Sequence, residues 1–362
     1  WKLPPTKQQK IAPYNSAIEE NKNKKTTLEK ARKNLRNLRI LHEGTYDIVD
    51  QLWTHLENKT DPTLDKKEQK WMNAALKQVR DRHAMTVENL AEFVIETRPY
   101  FSNNPHISEG AIDLTVMNFL RGRFGVQLLC EHAVAPRGII GVDCHLQDVL
   151  EDAINEARIV CESHYSHLAT SAPEVIIVNQ TVNRKDQFTI VRPWVHYVLV
   201  ELLKNAMAVS MEKLDQEMGE HSLPPNIYIA IDDHHNDEDS ETSRFLSIDL
   251  FDQGGGFRQK DLASNLDTLF GFVKNKTTMW DRLDDQQTYA MTRSPMQGLG
   301  VGLCLSRLMM SHFGGTVELT EHPPLLHRQQ EQLQELSEDL DCGCVASVKL
   351  QKDLDYPEQL GD

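Results

Sequence analysis

Glu201-Leu-Leu-Lys204-Asn205-Ala-Met207 sets a carboxylate, an ammonium and a carboxamide at i, i+3 and i+4. On a helix that spacing brings all three to one face, where acid, base and metal-ligand chemistry can act at one point. Such faces are common as solvated surface, so the stretch gains its meaning from two glycine motifs further along the chain. Asp252-Gln253-Gly254-Gly255-Gly256 comes next, and Gly298-Leu-Gly300-Val301-Gly302-Leu303 later still. Three successive glycines let backbone approach a flat ligand, because no Cβ intrudes. An Asp at a strand end beside them can accept a hydrogen bond from an exocyclic amine. The second glycine cluster opens a helix whose N-terminal amides can face phosphate oxygens. Either glycine run alone reads as a turn. The three motifs in this order make a compound signal.

The surrounding sequence fits that signal. Before Pro173 the pattern is helical, with apolar residues at three- and four-residue spacing over 25–56 and 66–96 and further helices over 109–133 and 146–163. No long strand signal interrupts them, so residues 1–170 read as a helical bundle of the four-helix type. After Pro173 the texture changes. Strands are expected over 174–179, 226–231, 245–251, 315–319 and 345–350, with helices over 193–217 and 300–313 between them. Residues 171–362 therefore read as an α/β sandwich with a mixed sheet, and the whole chain as α+β. The segment 232–242, dense in His, Asp and Glu, reads as a solvated loop rather than a metal site, despite His234 and His235. Residues 257–297 lack periodicity and sit between the glycine clusters, as a flap would.

Composition narrows the function. Of 362 residues, 40% are hydrophobic, enough for two cored domains, and the net charge is −15. That charge argues against a general nucleic-acid binder, yet a nucleotide held by glycine amides and a metal is compatible with it. Residues 1–40 carry eleven Lys or Arg against three Glu, a basic arm on an acidic protein. Six scattered cysteines without zinc spacing fit a reducing compartment. No apolar run is long enough to span a membrane. A start at Trp1 rather than Met fits a processed N-terminus.

On these motifs the chain resembles the GHKL ATP-binding superfamily, and within it the mitochondrial protein kinases of pyruvate and branched-chain 2-oxo-acid dehydrogenases. Phe119-Leu-Arg-Gly-Arg123-Phe-Gly-Val-Gln-Leu-Leu, Glu131-His132 and Val79-Arg80-Asp-Arg-His83 resemble that family's bundle helices. Ser306-Arg307-Leu and Phe313-Gly-Gly-Thr-Val-Glu-Leu resemble the segment after its last glycine box. The resemblance implies a GHKL-type second domain and in-line phosphoryl transfer from ATP with Mg²⁺. It implies that Glu201 is the general base, that Asn205 holds Mg²⁺ and that Lys204 positions phosphate or base. Asp252 would meet adenine, Gly254 and Gly256 would shape the pocket, and Gly298, Gly300, Val301, Gly302 and Leu303 would line the phosphates. Arg80, His83 and Arg123 would hold a regulatory oxo-acid. The implied substrate is the E1 component of a dehydrogenase complex. The implied docking partner is the lipoyl domain of E2, the implied assembly a homodimer and the implied location the mitochondrial matrix.

The chain departs from the family's pattern at Ala208, Gln253, Gln127 and Gly343-Cys344-Val345. Thr277-Thr278 is its only Ser/Thr pair offered for the flap, and an added stretch, Gln329-Gln-Glu-Gln-Leu-Gln-Glu-Leu, reads as a short polar helix. Tyr197 and Ser294-Pro-Met-Gln-Gly resemble the branched-chain kinases, while Val79–His83 and Leu223-Pro-Pro resemble the pyruvate ones, so both branches stand. Against the active kinase stands a scaffold or nucleotide-binding subunit that kept the fold and lost the chemistry. A two-component histidine kinase, using His83, is the weaker third reading.

Overall fold

The computed structural model describes residues 8–59, 63–102, 109–168, 170–180, 188–217, 223–233, 245–257, 269–272, 300–322 and 340–352. A helical N-terminal region is followed by an α/β region with a mixed sheet. The chain divides into two compact units, 1–114 and 115–362.

The first unit holds α1 (Gln8–Glu57), α2 (Lys66–Arg82) and α3 (Thr86–Ser102), and the division falls inside α4 (Glu109–Val134). Leu38 and Leu52 of α1, Val79 of α2 and Leu90, Ala91 and Val94 of α3 are buried. The start of α2 is a capping box: the Asp65 carboxylate accepts the amides of Lys67 and Glu68, and Glu68 reaches back to the Asp65 amide. The continuous helix expected over 66–96 is broken at 83–85. No glycine or proline marks the break. The backbone amide of His83 closes α2 on Val79 and Arg80, while the Thr86 amide turns back to the His83 carbonyl.

In the second unit a short strand, β1 (Ile140–Cys144), precedes α5 (Leu146–His164) and β2 (Val175–Gln180). Then come β3 (Phe188–Val191), α6 (Arg192–Glu217), β4 (Ile227–Asp232), β5 (Phe245–Phe251), α7 (Gly302–Ser311), β6 (Thr316–His322) and β7 (Gly343–Gln351). The main sheet has the order β2-β4-β5-β7-β6, with β2 parallel to β4 and every other pair antiparallel. α6 supplies the crossover that a parallel pair needs. β1 and β3 form a separate antiparallel ribbon that the sequence pattern did not announce, each being too short to show alternation.

β4 lies inside the sheet and is covered on both faces. Ile227, Ile229 and Ile231 are fully buried, while Tyr228 and Ala230 join Val178, Phe251 and Leu340 in a second cluster. α6 is also buried along most of its girth, through Val198, Leu199, Leu202, Leu203, Ala206, Met207 and Met211. Pro193 sits in its first turn, where the missing amide costs no helical hydrogen bond. A helix wrapped this closely leaves only a narrow polar strip, and that strip carries the motif.

Candidate functional site

Glu201 and Lys204 face each other one turn apart on α6, with Lys204 Nζ donating to Glu201 Oε1 at 2.6 Å. Both side chains are largely buried, at 17% and 11% exposed. Asn205 is exposed on the same face, and its side chain makes no hydrogen bond to a described residue. Four residues further on, Val209 continues that face.

Both glycine loops close on this strip. A Cβ on Gly302 would collide with Glu201 Oε2, so the start of α7 lies directly against the carboxylate. A Cβ on Gly254 would collide with Val209, so the first glycine loop lies against α6 two turns along from Glu201. Gly302 and Gly254 thus bracket Asn205 from opposite ends of a strip about 12 Å long, from the helical rise. Sequence patterns predict the three motifs on a helix and two loops; the structure brings them together. Val209 gives no such sign, because an apolar residue among the core residues of α6 carries no signal by itself.

The start of α7 carries no side-chain cap. Gly300 has φ 70°, a left-handed conformation that suits glycine. Val301 caps the helix without any side-chain hydrogen bond, and no acidic residue lies in the first turn. Amides at such an end are ready to meet an anion. Leu303 belongs to the same first turn, while Gly298 lies outside the described residues. So do Thr277-Thr278, His234, His235, the 329–336 stretch and all of the 257–297 flap except 257 and 269–272. Within that last fragment Phe270 and Phe272 are buried, and the Arg307 guanidinium lies 3.8 Å from the Phe270 ring centroid.

Asp252 is 7% exposed. Its Oδ1 accepts the amides of Gly254 at 2.9 Å and Cys344 at 3.3 Å, and no hydrogen bond from a described residue reaches Oδ2. Burial pushes this carboxyl above the usual carboxylate range, against the opposing pull of the two amides and of His322. Burial also pushes the Cys344 thiol up to about 12, helped by the carboxylates of Asp252 and Glu321. Gly255 and Gly256 take φ values of 91° and 74°, which explains the glycine run in backbone terms.

Gln253 turns its side chain into the structure. Its Nε2 donates to the Asn226 carbonyl and its Oε1 accepts the Asp341 amide, both at 3.1 Å. Lys213 donates to the Gln253 carbonyl and pairs with Asp341 at 2.8 Å. Two further neighbours of the Asp252 loop were invisible in the sequence: Glu321 and His322. They arrive through β6–β7 pairing, a register that no local pattern reveals.

The three residues expected to hold an oxo-acid each have local partners. Arg80 makes two hydrogen bonds to Asp81, at 2.9 and 2.7 Å. His83 lies between the hydroxyls of Thr45 at 2.8 Å and Thr86 at 3.1 Å. Arg123 donates to Gln127 at 2.7 Å, and Gln127 in turn to Glu131. Arg80 and His83 belong to the first unit and Arg123 to the second.

No protein-family model matches this chain. Among curated proteins it is 27% identical over 257 residues to human mitochondrial pyruvate dehydrogenase (acetyl-transferring) kinase isozyme 3, covering 67% of this chain and 57% of that protein. It is 29% identical over 261 residues to the mitochondrial pyruvate dehydrogenase kinase of Ascaris suum, covering 68% and 58%. Against human isozyme 1 the identity is 24% over 260 residues, covering 67% and 53%. The match thus spans somewhat more than half the length of these relatives.

Proposed function

We propose that this chain is a protein serine kinase that uses Mg-ATP to phosphorylate, and so inactivate, the E1 component of a mitochondrial 2-oxo-acid dehydrogenase complex. The observation that carries the reading is the shared strip of α6, with the Glu201–Lys204 pair against Gly302 at one end and Gly254 against Val209 at the other. Asp252 suits the adenine end. Its Oδ1 is committed to two amides, which leaves Oδ2 to accept a hydrogen bond from an exocyclic amine. Gly254 and Gly256 give the base a wall without side chains. The phosphates would run toward α7, meeting Gly298, Gly300, Val301, Gly302 and Leu303.

Hard oxygen donors fit Mg²⁺, and the exposed Asn205 carboxamide supplies one beside the Glu201 carboxylate. When bound, Mg²⁺ supplies charge neutralisation at the phosphates. Glu201 takes the proton of the serine hydroxyl as its oxygen bonds the γ-phosphorus, and the bond to the bridging oxygen breaks to release ADP. Lys204 holds the carboxylate in place and adds positive charge beside the transferred group. Placement on a core-buried helix restricts these groups to a productive geometry.

The same reading assigns residues 1–170 to regulation and docking and 171–362 to catalysis. It makes the lipoyl domain of E2 the docking partner, a homodimer the working assembly and the matrix the location. Because the curated relatives are named for pyruvate dehydrogenase, its E1 is the first substrate to try, with the branched-chain E1 beside it.

A second reading, a kinase-like subunit that binds nucleotide or scaffolds an assembly without catalysis, is favoured by the packing role of Gln253 and by a half-buried thiol at Cys344. One experiment separates the two: transfer of γ-labelled phosphate from Mg-ATP to each purified E1, with Glu201→Gln as control. Label on one E1 that the variant does not deliver supports the kinase and names its branch. Bound ATP without transfer to either E1 supports the second reading.

A further inference from the structure

The loop that carries Asp252 is held from two sides. β7 and the residue before it take one edge: the Asp252 amide donates to Cys344 and the Gly255 amide to Cys342, each at 3.0 Å. The last two residues of β6 take the other. His322, 7% exposed, donates from Nε2 to the Asp252 carbonyl at 2.9 Å. Glu321 accepts the Phe257 amide at 2.6 Å, and its side chain fills the space that a Cβ on Gly256 would need. His322 pairs in register with Gly343, where any Cβ would strike both the Asp252 carbonyl and the His322 ring. The carbonyl of Asp252 is therefore boxed in, and with it the direction in which its carboxylate leaves the backbone. Five residues later Glu321 fixes the far end of the loop, beyond the two left-handed glycines.

We infer that Glu321 and His322 are positioning residues for a nucleotide base: together they hold the loop so that Asp252 presents its Oδ2 to the ligand. The pair acts through Asp252 and the loop backbone rather than by touching the nucleotide, and the inference rests on the proposed nucleotide site. It sets base discrimination, since the acceptor that tells adenine from guanine is only as well aimed as the backbone behind it.

Titration calorimetry with ATP and with GTP tests this on the full chain and on His322→Leu, His322→Gln, Glu321→Ala and Glu321→Gln. The wild type should prefer ATP. His322→Leu and Glu321→Ala should bind ATP roughly tenfold more weakly, the loss expected for one positioned hydrogen bond, and lose much of the preference over GTP. His322→Gln and Glu321→Gln, which keep a donor and an acceptor, should recover most of both. Circular dichroism reports folding. If His322→Leu does not fold, Glu321→Ala decides, because Glu321 is itself exposed. Unchanged ATP affinity and discrimination in a folded variant overturns the inference. So does an equal loss for ATP and GTP, which would mark a merely structural role. A wild type that binds neither nucleotide overturns the nucleotide site and the inference with it.

Discussion

Gly302 and Glu201 are matched in space: the place a side chain would take at residue 302, on α7, is occupied by the Oε2 of Glu201, on α6. The glycine is there to let a helix start approach a carboxylate.

Gly302→Ala should therefore displace the Glu201 carboxylate rather than unfold the protein, since the group in the way is the end of a flexible side chain. We expect phosphoryl transfer to fall roughly a hundredfold, the scale of an ångström-sized misplacement at a reacting centre. Thermal unfolding should move little. Single-turnover transfer rates alongside melting curves check both halves, and an unchanged rate would remove Glu201 from the chemistry.

Much of this arrangement was legible in the sequence, and the residues show why. The strands of the main sheet and helices α4 to α7 fall within a few residues of their expected spans, because buried strands and wrapped helices carry strong apolar patterns. Glu201, Lys204 and Asn205 were readable as one face because helical spacing is local. The β1–β3 ribbon was not, at five and four residues. Nor was the break at His83, which is made by backbone hydrogen bonds rather than by a breaker residue. Val209, Glu321 and His322 escaped notice because their meaning comes from packing between distant segments.

Asp252→Asn should weaken ATP binding at least tenfold and yet stabilise the protein without nucleotide. Burial raises this carboxyl in the folded state. The folded protein then holds a proton over a pH window in which the unfolded chain has released it. Stability consequently falls as pH climbs from the ordinary carboxylate range through the folded pKa, and the loss is complete above it. The neutral variant lacks that loss. Its melting temperature should exceed that of the wild type at neutral pH, and the difference should close on acidification. Melting curves across pH check the sign, and a wild type more stable than the variant at neutral pH would refute it.

Gln253→Ala should cost about 2–3 kcal/mol of stability, from two lost hydrogen bonds and two backbone groups left unmet. Because this side chain points into the structure, ATP affinity should stay within about threefold. Urea unfolding and nucleotide titration separate the two effects; a large drop in affinity would place Gln253 in the pocket instead.

Cys344 should resist alkylation in the folded protein. With its thiol pushed up to about 12, the reactive thiolate is scarce near neutral pH. Iodoacetamide followed by peptide mass spectrometry should find Cys344 unmodified until urea is added. Early labelling there would contradict the burial that raises it.

The strip of α6 has a consequence for how such a sequence can change. Glu201 and Val209 are eight residues apart on an unbroken helix, and each is fitted to a glycine in a different loop. One residue inserted between them would turn one contact about 100° away from the other and put the two glycine loops out of phase. No adjustment elsewhere could restore them while the helix stays packed on both sides. Length variation over time should therefore accumulate in the connections and leave the interval from 201 to 209 untouched: the helix serves as the metric against which every other part of the site is aligned.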